Sequence, residues 1–168
     1  MKKILACIVM VALVAVPTIA FGDGADRSRA LIKSRLVGSQ PDTPIRGVDS
    51  GGAPWVISDN ALALVRRSGR VRVIVRGLLL TNTGDPNLDG TTGPVRRVFA
   101  SVTCTTPGGG SAVVNTAVVP LSAAGNARIR DDVNLPGVCF GVSVLVRGDL
   151  GTRAGPDAAD PWFAVTGF

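Results

Sequence analysis

Two groups of side chains in this sequence have types and spacings suited to chemistry. Asp85-Pro86-Asn87-Leu88-Asp89-Gly90 follows the opening of a calcium loop, D-x-[DN]-x-[DN]-G. Alternating oxygen ligands with a glycine at the bend suit a hard cation. Asp85, Asn87 and Asp89 are the candidate ligands. The helix-flanked form of this loop needs a bidentate acid at its twelfth position, where this chain has Arg96. Two carboxylates hold calcium poorly unless backbone or distant oxygens help. Ordinary turn chemistry accounts for the same Asp, Asn and Gly residues.

The second group is cationic. Arg70, Arg72 and Arg76 fall on one side of an alternating run, and Arg97 joins that side if the next strand forms a hairpin with it. Clustered guanidinium groups bind phosphate, sulfate or carboxylate polymers. Nucleic acid is not favoured, because single-strand binding adds stacking aromatics and only Phe99 is near. The bland alternative is a solvated outer face whose charges discourage edge association.

Enzyme chemistry is poorly served. The chain has no His, no Tyr and no Glu. Ser-His-Asp and Cys-His arrangements and the common His-ligated zinc sites are therefore excluded. Paired Asp catalysis has two candidates, Asp131 with Asp132 and Asp157 with Asp160. Neighbours on a strand point to opposite faces, so the first pair cannot cooperate simply. The second pair lies in a Gly/Pro-rich loop that fixes little geometry. No catalytic residue is assigned.

The elements that position these groups read as strands. Arg70–Leu80 is the longest signal, with Val71, Val73 and Val75 alternating with arginines. Gly77 breaks the alternation, as a bulge would, and Leu78, Leu79 and Leu80 follow as a strand entering deeper burial. Further strands are predicted at 55–58, 61–66, 95–104, 112–120, 127–135, 139–147 and 162–168. Ser68-Gly69 and Pro107-Gly108-Gly109-Gly110 mark hairpin turns, and 81–94 a long polar loop. Asp131 falls on the apolar side of its strand, which suits a bulge or an edge position. Trp55 and Trp162 are ligand platforms or, more simply, packing residues.

Seven to eight short strands predict an all-β fold, an antiparallel β-sandwich of immunoglobulin-like type. An eight-stranded outer-membrane barrel is the main rival. Six aromatics past residue 22 are too few for two interfacial girdles.

Lys2 and Lys3 precede an apolar run from Ile4 to Val16, broken by Pro17 and followed by small residues. This is the pattern of a secretory signal peptide, 1–22, with cleavage after Ala20 or Gly22. The run is shorter than the ~20 residues that span a bilayer. The mature chain is then expected to carry no transmembrane segment. It holds sixteen basic and twelve acidic groups, a net charge of +4. Cys104 and Cys139 are its only cysteines and, in an oxidising compartment, are expected to form a disulfide. Residues 23–52 read as an extended or mobile N-terminal arm, with two helical turns in Arg29–Val37, where Ile32 and Leu36 share a side. The arm's basic residues (Arg27, Arg29, Lys33, Arg35) can touch an anionic surface. Residues 53–168 form the β-domain.

Several segments appear in a characteristic order: Arg46-Gly47-Val48, Gly51-Gly52-Ala53-Pro54-Trp55-Val56-Ile57, Val75-Arg76-Gly77-Leu78 and Pro120-Leu121-Ser122. Gly125-Asn126-Ala127-Arg128-Ile129, Leu135-Pro136 before Cys139, Val144-Leu145-Val146 and Ala164-Val165-Thr166-Gly167-Phe168 complete it. In this the chain resembles a group of small secreted bacterial β-sandwich proteins to which no activity is attached. The resemblance spans residues 46–168 and implies export, a β-fold and the cysteine pair.

These readings combine into one expectation. The chain is a secreted, periplasmic or cell-surface β-module without enzymatic activity and without a cofactor. Its role is structural or binding. The alternatives are a polyanion binder using the arginine face and a module stabilised by calcium at Asp85–Gly90.

Overall fold

Valine alternating with arginine sorts one strand into two faces, and the rest of the sheet is built by matching that sorting. The computed structural model describes residues 28–151 and 160–166. The expected signal peptide, 1–22, and Arg27, Asp157 and Phe168 lie outside them. The described residues form eleven strands and no helix: β1 (Ala30–Gly38), β2 (Trp55–Val56), β3 (Leu62–Arg66), β4 (Arg70–Val75), β5 (Leu79–Leu80), β6 (Arg97–Thr105), β7 (Ser111–Asn115), β8 (Val119–Pro120), β9 (Ala127–Asp132), β10 (Phe140–Gly148) and β11 (Trp162–Thr166). Nine make one antiparallel sheet in the order β7-β6-β10-β11-β1-β3-β4-β9, with β8 also on β6; β2 and β5 pair separately.

The sheet curls into a half-barrel. Its β9 end turns toward β8, and the Ala117 N–H donates to Asp131 Oδ2 at 2.7 Å across the gap. Asp131 is thus an edge residue on the inward side, as its place in the alternation predicts. The concave side holds the core. Val65, Val71, Val73 and Ile129 are buried there against Val98, Val102, Val144 and Val146. Each fully buried valine contributes roughly 1.5–3 kcal/mol. Trp55 stacks on Phe163 with ring centroids 4.3 Å apart. This polarity is the reverse of a membrane barrel, whose outer wall is apolar.

β10 from Val144 onward and β11 are buried on both faces, which explains the apolar runs Val144–Val146 and Trp162–Val165. Their second face packs Leu145, Trp162 and Val165 against Val48 and Ile45. Residues 40–52 therefore lie across the sheet as a strap. Arg46 fastens it, donating from Nη2 to the Gly141 carbonyl at 2.7 Å and from Nη1 to Thr103 Oγ1 at 3.2 Å.

Two expectations need correction here. Residues 30–38 are not helical turns of an arm; they form β1, in the interior of the sheet. Ile32 and Leu36 fit a helical spacing, but with Ser34 they also fit period two, and pairing on both sides decides. Lys33, Ser34 and Arg35 pair with Leu64, Ala63 and Leu62 of β3. Leu36, Val37 and Gly38 pair with Thr166, Val165 and Ala164 of β11. A two-turn helix has no such partners and is marginal alone. The second correction concerns Arg70–Leu80, which is two strands and not one. Gly77 has φ +60°, a left-handed conformation open mainly to glycine. The chain turns there, and β5 leaves to pair with β2.

The disulfide forms as expected: Cys104 near the end of β6 joins Cys139 just before β10, with Cα atoms 5.4 Å apart.

Candidate functional site

Strand register on the convex side builds a basic face. Ser68 and Gly69 close the β3–β4 hairpin, with the Gly69 N–H donating to the Arg66 carbonyl at 2.9 Å. That turn sets Leu64 opposite Arg72 and Leu62 opposite Ile74. β9 then pairs with β4, so Arg72 faces Arg130, Ile74 faces Arg128 and Arg70 faces Asp132. Directly paired positions share a face, with Cβ atoms about 4.5–5.5 Å apart. One row across four strands therefore reads Lys33, Leu64, Arg72, Arg130. The next reads Arg35, Leu62, Ile74, Arg128. The valines and Ile129 between these positions are buried, and the cations are exposed.

Arg76 continues the outward side beyond the end of β4 and is exposed. Arg66 is half-buried and donates to the Ser28 carbonyl. Among the described residues, one acid shares this outward face. Asp132 Oδ1 lies 3.5 Å from Arg70 Nε, with both side chains largely exposed. Among the described residues, no acid pairs with Arg72, Arg76, Arg128 or Arg130. A shallow hollow of about 310 Å³ lies beside Arg70, Arg72, Arg130, Asp131 and Asp132. A second, of about 440 Å³, lies between Arg76, Arg128, Asn126 and Pro120.

The expected cluster is thus largely assembled, with one exception. Arg70, Arg72 and Arg76 share the face. Arg97 does not, because β4 pairs with β3 and β9 and never with β6. Arg97 instead places Nη2 3.1 Å from Oδ2 of the buried Asp149. Arg128 and Arg130 belong to the face, and so do Lys33 and Arg35. Their outward alternation is visible in the sequence; their register against β4 is not.

The other candidate residues have local partners. Asp85 Oδ1 accepts from the Asn87 N–H at 2.9 Å and from Asn87 Nδ2 at 3.0 Å. Asp89 Oδ1 accepts from the Thr83 N–H at 2.9 Å and from Thr83 Oγ1 at 2.8 Å. These are bonds of an exposed turn. No group of three His, Cys, Asp or Glu side chains gathers among the described residues. Asp131 and Asp132 point to opposite faces. Asp160 is buried, and its carbonyl accepts from Arg147 Nε at 2.8 Å. Trp55 and Trp162 are both buried in packing clusters.

Compared with known proteins, the chain matches no family model, no curated protein and no solved structure.

Proposed function

We propose that the protein is an exported, non-enzymatic binding module that docks anionic polymers on the convex face of β1, β3, β4 and β9. One observation carries the reading: Arg72 and Arg130 are paired in register, and among the described residues neither forms an ion pair with an acid, the nearby Asp132 being engaged with Arg70. Like charges directly opposite destabilise a sheet by a few tenths to one kcal/mol. A face that only needed solvation has no reason to place them so, and a bound anion removes the repulsion. The neighbouring Lys33, Arg35, Arg76 and Arg128 extend the charge over an area that suits a polymer.

The overall architecture is compatible with a β-sandwich module. β1 pairs with β3 through its first part and with β11 through its last, so it passes from one half of the sheet to the other. The disulfide is compatible with an oxidising compartment. Calcium stabilisation is the weaker reading, since both loop carboxylates already hold turn donors.

Retention on an immobilised sulfated polymer, measured against salt, tests the proposal. Binding should fall steeply with ionic strength, and Arg70→Ser/Arg72→Ser/Arg76→Ser should elute much earlier than the parent. Equal elution of the two proteins would refute it.

A further inference from the structure

The polyanion reading leaves the chemical class of the anion open. Resting on that reading, we infer that Arg72 and Arg130 form the recognition centre, and that it takes tetrahedral oxyanion esters, sulfate or phosphate, in preference to carboxylates.

The β4–β9 ladder itself supplies the contrast. In its first row a carboxylate already answers an arginine: Asp132 opposes Arg70. A carboxylate has two oxygens, and one guanidinium fork can occupy both. In the second row two arginines occupy directly paired positions. Each guanidinium carries five N–H donors. A carboxylate that fills one fork with both oxygens offers the second only its outward lone pairs. A sulfate or phosphate monoester presents three terminal oxygens and can bridge the two forks from above the sheet.

The rest of the ladder favours a ligand with repeated charges. Arg128 lies two residues from Arg130, about 7 Å along the strand, and Arg76 lies four from Arg72, about 13 Å. Ile74 sits between these positions and offers apolar contact. Among the described residues, nucleobases have no aromatic platform on this face. Trp55, Phe99, Trp162 and Phe163 are buried, and the exposed Phe140 opens β10, which is not one of the four strands of the face.

The test uses three polymers on one neutral backbone at matched charge density: dextran sulfate, dextran phosphate and carboxymethyl dextran. The oxidised protein is titrated with each at physiological salt. Sulfate and phosphate forms should bind about tenfold tighter than the carboxymethyl form. Arg72→Gln/Arg130→Gln should abolish that preference. Lys33→Gln/Arg35→Gln, with the same loss of charge on the same face, should weaken all three polymers and keep it. Arg130→Lys preserves the charge but removes the fork, so it should lose the preference even if the double variant folds poorly. A preference for sulfate alone or phosphate alone, lost in the same variants, keeps the centre and narrows its ligand. Binding without preference, or equal effects of the two double variants, overturns this inference while leaving the polyanion face standing. No binding of any polymer at low salt overturns both.

Discussion

Arg130 forms no ion pair among the described residues and has an arginine opposite, so its removal separates stability from binding. Arg130→Thr puts a β-branched residue on a strand and deletes the repulsion. It should stabilise the unliganded protein by about 0.2–1 kcal/mol in urea unfolding while weakening retention on sulfated polymer. A structural role for this arginine predicts the opposite sign in the urea experiment. Gly69 shows the cost of a misplaced side chain. Its φ is +87°, and a Cβ there would stand 2.0 Å from the Val133 carbonyl oxygen. Gly69→Ala should cost about 2–3 kcal/mol, read as a shift in the urea midpoint. Asp89 is a residue whose pattern promises more than its surroundings deliver. Its Oδ1 takes two donors from Thr83. Millimolar calcium should leave the melting temperature unchanged, and a rise abolished by chelator would reinstate the loop as a site.

Strand existence is legible in this sequence because period two survives wherever one face is buried and the other wet. β3, β4 and β9 announce themselves this way. Strand partnership is not legible, because register depends on residues far apart in the chain. Arg97 illustrates the limit: its outward position is readable, but its sheet neighbours are set by β10 and β8, not by β4. β1 illustrates the other limit, since nine residues that fit two periods were decided by partners on both sides. Leu36 sits where β1 changes partner. It is buried, its N–H donates to the Ala61 carbonyl at 3.1 Å, and it pairs with Thr166. Leu36→Pro deletes the donor and the side chain together and should lower the melting temperature by at least about 5 °C. A mobile arm at this position predicts no change. The disulfide acts between elements. Its cysteines are 35 residues apart, so replacing both with serine should remove up to about 4 kcal/mol of stability in urea unfolding.

At the scale of the whole molecule, the half-barrel divides labour between its sides. The concave side is apolar and closed, and the strap at 40–52 covers the outer side of β10 and β11. The convex side of β1, β3, β4 and β9 is left to charge. The β character, the cysteine pair and part of the cationic face were readable from alternation and residue type. The strap was not, since its two anchors, Ile45 and Val48, are apolar residues among turn formers. The pairing of β1 with β11 has a further consequence, in the order of events during synthesis. Leu36 meets Thr166, 130 residues later in the chain. Every strand between them can emerge while β1 still lacks one flank. Loops this long close slowly, and folds built on distant pairings take milliseconds to seconds. The sheet therefore cannot be completed until β11 is present, and a chain ending before Trp162 should be cut more readily by protease than the finished protein, first at β1 and β10.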